Sequence, residues 1–354
     1  MAERRTVGLD IGTTGVRAAQ LSWHRDGARL ERIGQVALPE GAVTDGEVTD
    51  PAAVGAALKQ LWKLGRFSTK KVILGVANQK VIVRQVDLPW MPLAEMRKSL
   101  AFQVADVIPL PIEHALLDFH PLEEIQGEDG ERRHRVLIVA AAREMVQASL
   151  DAVAIAGLDP QAVDLTSFAL LRAIGTVDGL GITRSAEALV DIGANVTNIA
   201  VHQGGVPRFV RILVLGGSDV SQKLAEHMGI PLEQAEYVKQ TTPAPRDPTL
   251  PSASPVVRAL ESAANDWVEE VRGSLGYYAA QPGSSPIGRV LLSGGGSQLP
   301  GLAQRLSAAT HLPVEVAAPM HRLEIGRTGL SDDQLHYMEA LSAVPVGLAL
   351  GAAA

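Results

Sequence analysis

Two stretches half a chain apart carry one pattern. Residues Val7 to Leu21 read VGLDIGTTGVRAAQL, and residues Ala188 to His202 read ALVDIGANVTNIAVH. In each, an apolar run ends in Asp-Ile-Gly, a few small or polar residues follow, and a strand-like alternation resumes. Such internal similarity predicts two similar domains facing each other. Each copy reads as a β-hairpin, because the apolar run suits a buried strand and the glycine permits a turn that a side chain would block. Each turn offers backbone N–H donors, which can hold an anion, and a carboxylate at its mouth.

The chain has 354 residues, which at ~100–200 residues per domain fits two domains with room for an insertion. Hydrophobic residues make up 46% and aromatics only 4%, so the cores must rest on Ala, Val, Leu and Ile. There is no cysteine, which removes disulfides, thiolate metal sites and cysteine nucleophiles. The net charge is -7. The one dense basic run, Arg132, Arg133, His134 and Arg135, reads as a solvated loop entering a strand, so no nucleic-acid partner is expected. Glu3, Arg4, Arg5 and Asp10 speak against a signal peptide. No segment approaches the ~20 apolar residues that span a bilayer, and the apolar run from Ala343 to Ala354 is short and contains Pro345. A membrane role would therefore need a partner to bring the chain there.

Between and after the two hairpins, helix and strand patterns alternate, which implies α/β layers. Asp50 to Leu64 predicts a helix with Asp50 as N-cap and Pro51 at its first position. Lys71 to Ala77 and Val136 to Ala142 predict strands. Leu93 to Asp106 and Glu144 to Ala156 predict helices, the latter ending at Gly157. The interval from Gln85 to Pro160 reads as a small α/β insertion, with a hairpin loop over 125–135. In the second half, 220–228, 232–240, 262–278 and 301–310 read as helices and Arg289 to Leu292 as a strand. Thr241 to Pro255 holds five prolines and reads as a loop.

Four segments could carry chemistry. In Asp10-Ile-Gly12-Thr13-Thr14-Gly15, backbone donors and two hydroxyls suit phosphate oxygens, and Asp10 suits a hydrated Mg²⁺; alone, the same turn serves a plain hairpin. Asp191, Gly193 and Asn195 repeat the device. Gly294, Gly295, Gly296 and Ser297 follow a strand, where missing side chains would let a base or ribose approach, although a tight turn needs the same glycines. Glu236 and Lys239 lie three apart on one helix face, which equally describes a surface ion pair. No GxxxxGK[ST] P-loop occurs.

A DxG hairpin, an insertion, a second DxG hairpin, an ExxK helix and a GGG turn, in that order, resemble the actin-like ATPase superfamily over nearly the whole chain. The resemblance implies an α/β, ribonuclease H-like fold with ATP and Mg²⁺ in a cleft between two similar domains. It implies Asp10, Gly12, Thr13, Thr14 and Gly15 as the first phosphate loop, and Asp191, Gly193 and Asn195 as the second. Asp10 and Asp191 would hold Mg²⁺ through water. Glu236 and Lys239 would flank adenine or ribose, and Gly294, Gly295, Gly296 and Ser297 would form the adenosine loop. It also implies a first domain of residues 1–84, 161–180 and 335–354, an insertion of 85–160, a second-domain core of 181–215 and 286–334, and a helical subdomain of 216–285.

Within the superfamily, the stretches VRQVDLP (83–89) and ADVIPLP (105–111), Asp118-Phe119, AAARE (140–144) and AGLDP (156–160) are similar to the PilM family of type IV pilus assembly proteins. The chain ends after what reads as a core helix, without the tail usual in the FtsA family. The PilM resemblance implies a cytoplasmic scaffold at the inner face of the membrane, binding the N-terminal peptide of a PilN-like membrane protein in a groove between Arg84 and Phe119. The segment DLTSFALL (164–171) lacks Gln and Glu, and Val196 and Asn198 stand where FtsA-like loops carry Thr and Asp. Slow ATP turnover is therefore expected. A small-metabolite kinase or a filament-forming protein of the same fold is the alternative.

Overall fold

The computed structural model describes residues 4–25, 27–176, 185–243 and 254–351. The middle of the proline-rich 241–255 stretch, the junction expected near 180 and both chain ends lie outside the described residues.

Strand β1 (Arg5–Ile11) turns into β2 (Gly15–His24), and β3 (Gly27–Ala37) continues the antiparallel run. The short hairpin β4 (Val43–Thr44) and β5 (Glu47–Val48) leads into helix α1 (Pro51–Gly65). The Asp50 carboxylate accepts the N–H groups of Ala52 and Ala53, both at 3.0 Å, and Pro51 occupies the first turn. These caps start the helix where its own backbone donors lack partners. Strand β6 (Lys71–Val76) then returns parallel to β1.

Strand β7 (Val81–Pro89), helix α2 (Leu93–Gln103), β8 (Ala115–Gln126) and β9 (Arg132–Ala142) build a three-stranded antiparallel sheet of order β7-β9-β8. Met96 and Leu100 of α2 pack on Leu88, Phe119 and Ile138 of that sheet. The expected 125–135 loop is shorter than its composition suggested, with strands reaching Gln126 and resuming at Arg132. Cross-strand acids hold it in sheet form: Arg132 pairs with Glu124 at 2.6 Å, and Arg135 with Asp87 at 2.8 Å. Opposite charges facing each other across strands make a polar ribbon stable without apolar alternation.

Helix α3 (Arg143–Ile155) follows, then β10 (Asp159–Leu165) beside β6 and helix α4 (Thr166–Ile174). The second half opens with β11 (Ala186–Ile192), β12 (Thr197–Gln203) and β13 (Val206–Leu213). Helices α5 (Gly217–Met228), α6 (Leu232–Thr241) and α7 (Pro255–Ala279) come next, then β14 (Ile287–Ser293), α8 (Leu302–Thr310) and β15 (Val314–Val316). A two-residue strand β16 (Glu324–Ile325) returns to β3, and α9 (Asp332–Glu339) and α10 (Ala343–Gly351) close the described chain.

The two large sheets share one plan. Their orders are β3-β2-β1-β6-β10, with β16 added beyond β3, and β13-β12-β11-β14-β15. In each, three antiparallel strands are followed by two parallel ones. The mixed α/β architecture with two similar halves is the one expected from the repeat.

Helices α4 and α10 cross beneath the site. Leu170 and Leu348 join Leu21 and Leu30 of the first sheet to Leu189 and Leu291 of the second in one core. The crossing is close because residue 347 is glycine: a Cβ there would overlap the Ala169 carbonyl oxygen. A separate core lies under α1 and α3, and another under α5, α7 and α8. Both sheets are thus anchored on their far faces, and the open ends of β1 and β11 face each other.

Candidate nucleotide cleft

The turns β1–β2 and β11–β12 are built alike. The Gly12 N–H donates to the Gly15 carbonyl at 3.0 Å, and the Gly193 N–H to the Val196 carbonyl at 2.9 Å. In strand register, Asp10 sits opposite Arg17 and Asp191 opposite Asn198. Between the two turns lies a cavity of about 720 Å³, a size suited to a small-molecule ligand.

Asp10, Gly12, Thr13 and Thr14 line one side of the cavity and Asp191 and Gly193 another. Glu236, Lys239, Gly294, Gly295 and Gly296 also line it. Gly15, Asn195 and Ser297 are not among the lining residues. Ser297 is buried and its hydroxyl donates to the Gly294 carbonyl at 2.7 Å, which closes the turn. The glycine loop hugs the end of β11, where a Cβ on Gly296 would overlap the Ile192 side chain. Gly294 also holds a φ of 81°, in the left-handed region that favours glycine. After this turn the chain forms a short 3₁₀ segment, Gly295–Gln298, before α8 begins.

The two aspartates feel one another. Burial raises the pKa of Asp10, against the opposing pull of the Arg17 guanidinium. Burial pushes Asp191 up to about 6, the negative charge of Asp10 adds to the rise, and the Ser293 hydroxyl, donating at 2.8 Å, works against it. Like charges sharing a desolvated space raise one another's pKa. A cation between them would relieve that cost.

Helix α6 is pinned to α5 by the pair the spacing suggested. Lys239 Nζ lies 2.7 Å from Glu236 and donates to the Gly217 carbonyl at 2.8 Å. The Ser221 hydroxyl donates to Glu236. Desolvation raises the Glu236 pKa, but the Lys239 and Ser221 contacts outweigh it and hold the carboxyl below its usual range.

A Mg²⁺ ion keeps several waters and needs only one or two carboxylates besides phosphate oxygens. Asp10 and Asp191 supply that number. Among the described residues no group of three His, Cys, Asp or Glu forms an all-protein cage. Asn198 lines the cavity, and among the described residues its buried Oδ1 has no hydrogen-bond partner. An acceptor left this way suits a proton from metal-bound water, so the donor set fits a hydrated ion.

Several lining residues escaped the sequence reading. Arg17 reads as one more position of a strand. Gly216, Gly217 and Ser218, at the start of α5, pack on the second turn through bonds from the Gly217 N–H to the Gly193 carbonyl and from the Ser218 N–H to the Ala194 carbonyl. The Gly-Gly-Ser run after β13 was the available signal. Trp267 and Tyr337 reach the cavity from α7 and α9, far from any motif.

The family model described as "Type IV pilus assembly protein PilM" matches residues 8–353. A solved PilM-PilN type IV pilus biogenesis complex is similar at a TM-score of 0.83 and 28% identity, covering 98% of each chain. The cell division protein FtsA of Neisseria meningitidis serogroup B is 25% identical over 367 residues, covering 92% of this chain and 85% of FtsA. MreB5 of Spiroplasma citri, solved bound to ADP, shares the fold at a TM-score of 0.55 and 12% identity, over 97% of this chain and 94% of MreB5. With a family match running almost end to end over an actin-like α/β architecture, this chain belongs to the type IV pilus assembly protein PilM family.

Proposed function

We propose that the chain binds ATP with Mg²⁺ in the cleft and works as a scaffold in type IV pilus assembly, docking the N-terminal cytoplasmic peptide of a PilN-like membrane protein. The observation that carries the nucleotide reading is the pair of matched turns facing one cavity, each with an aspartate at its mouth, Asp191 buried and Asp10 partly so. Thr13, Thr14 and the turn amides would face phosphate oxygens, and Asp10 and Asp191 would hold the hydrated ion. That ion would supply positive charge to the phosphates. Glu236 and Lys239 would border adenine or ribose, with Gly294 to Gly296 beneath it. The ADP-bound MreB5 structure supports a nucleotide in a fold of this kind.

The solved PilM-PilN complex supports the partner. Residues 85–160 would form the docking subdomain. Trp90, Leu93 and Phe102 are exposed there, Phe102 at 87%, and exposed apolar groups of this kind suit a peptide. No helix among the described residues is long and apolar enough to cross a membrane, and the partner would hold the chain at the inner membrane face. Turnover would be slow, because in-line attack needs a polar side chain to align water and the segment leading into the second half, DLTSFALL (164–171), supplies neither Gln nor Glu.

Calorimetry with Mg·ATP tests the site. The Asp10→Ala variant should bind at least about tenfold more weakly than wild type, a loss of about 1.4 kcal/mol. Unchanged affinity removes Asp10 from the site, and hydrolysis at many turnovers per second would overturn the scaffold reading.

A further inference from the structure

The two hairpins match in register but not in charge. The residue opposite Asp10 is Arg17, and the residue opposite Asp191 is Asn198. Both line the cavity. The first half of the cleft therefore carries a fixed cation where the second carries a neutral amide.

Arg17 is placed to meet a ligand. Its side chain is only 18% exposed, and it approaches Asp10 at 3.4 Å through a single Nη1 contact rather than a two-pronged one. Among the described residues its Nε–H is buried without a partner. A Cβ built on Gly12 would stand 2.9 Å from Arg17 Nη1, so the guanidinium lies directly against the first turn. A guanidinium has five N–H donors in a rigid fork shaped for phosphate oxygens. One long bond to a carboxylate leaves that fork largely unused.

Among the described residues, the other cation lining the cavity is Lys239, which is occupied by Glu236 and the Gly217 carbonyl. Asp10 is meanwhile shared with Arg17, so a divalent ion must compete with the guanidinium for it.

Resting on the nucleotide reading above, we propose that Arg17 is a phosphate-binding residue that supplies from within the chain part of the charge a divalent ion otherwise provides, so that ATP binds this cleft even when metal is removed. Arg17 turns from Asp10 toward the phosphates when they arrive. Asp10 then serves as its resting partner in the empty cleft and as a metal partner when Mg²⁺ is present.

The test is calorimetric titration of ATP into the full chain, once with excess Mg²⁺ and once with EDTA, for wild type, Arg17→Gln, Arg17→Lys and Asp10→Asn. Wild type should bind metal-free ATP within about tenfold of Mg·ATP. Arg17→Gln should lose metal-free binding by at least about a hundredfold while Mg·ATP weakens by about tenfold or less, and Arg17→Lys should fall between. Asp10→Asn should move the two affinities in opposite directions, weakening Mg·ATP and holding or tightening metal-free ATP because the guanidinium is released.

Equal losses in both buffers for Arg17→Gln would show that Arg17 only shapes the loop, and would overturn the proposal. So would wild-type binding that vanishes in EDTA, a result that needs no variant to fold. Failure of wild type to bind Mg·ATP at all would instead sink the nucleotide reading on which the proposal stands.

Discussion

At the scale of the residue, the cleft stores an electrostatic cost. Asp191 is 8% exposed, and burial with a neighbouring carboxylate pushes it up to about 6, against about 3.9 for an unfolded aspartate. The sign follows directly. A carboxyl that holds its proton more tightly when folded favours the folded state at low pH, and that advantage is lost as pH rises from about 4 to about 6. At neutral pH the ligand-free protein therefore carries an ionised, poorly solvated Asp191. Asp191→Asn removes the charge and keeps an oxygen for the Ser293 hydroxyl. In urea melts at pH 7.5 with EDTA and no nucleotide, the variant should be more stable than wild type by about 1–3 kcal/mol, and the gap should close below about pH 4. A variant less stable than wild type at pH 7.5 would mean the carboxylate is solvated rather than strained. Because ATP binding should fall in the same variant, stability and function would be seen to oppose each other at one atom pair.

At the scale of the element, β11 has a polar lock at the end opposite its aspartate. Glu187 lies 2.9 Å from His202 Nε2 on β12, pairs with Arg289 on β14, and accepts the N–H of Thr176 at 2.8 Å where α4 runs out. The Gly205 N–H donates to His202 Nδ1 at 3.2 Å, so Nε2 carries the proton that faces Glu187. Desolvation opposes ionisation of Glu187, but these donors outweigh it and hold the carboxyl at about 2. A depressed acid contributes stability above its unfolded pKa of about 4.3, and that contribution disappears as pH falls toward 2. Glu187→Gln should cost about 2–4 kcal/mol at pH 7, because Arg289 and the Thr176 N–H lose a charged partner. The difference from wild type should shrink between about pH 4.5 and pH 2, measured as urea midpoints. A constant difference across that range would assign the loss to packing instead.

Elements were legible where local chemistry fixes them. The Asp50–Pro51 cap and the repeated Asp-Ile-Gly turns depend on neighbours in sequence, and both stand where the sequence puts them. The charged ends of β8 and β9 were read as loop because their sheet form depends on partners such as Glu124 and Asp87, which only the folded register supplies. The start of α7 at Pro255 was hidden at the edge of a proline-rich run, although Ser254 caps it and proline is well tolerated in a first turn. Arg17 was hidden for a different reason. Alternation tells which face of a strand a side chain takes, and only the opposing half of the molecule makes that face the wall of a cleft.

At the scale of the whole molecule, the halves meet through α4, α10 and the core around Leu170, Leu189 and Leu348, while their hairpin turns stay apart across the cavity. A ligand held by both turns adds a second tie at the far side of that hinge-like floor. Binding to the folded state alone stabilises it by about 2.7 kcal/mol at a free concentration a hundredfold above Kd. For a chain longer than about 250 residues, each kcal/mol moves Tm by about 2 °C or somewhat less. Saturating Mg·ATP should therefore raise Tm by about 3–5 °C in a thermal scan, and Asp191→Ala should abolish the rise while leaving a cooperative transition. The decisive comparison is between halves. If ATP bridges both turns, hydrogen exchange should slow together in residues 11–16 and 192–198. Protection confined to one of these segments would place the ligand on a single hairpin, and the matched turns would then be a relic of the shared sheet plan rather than one working site.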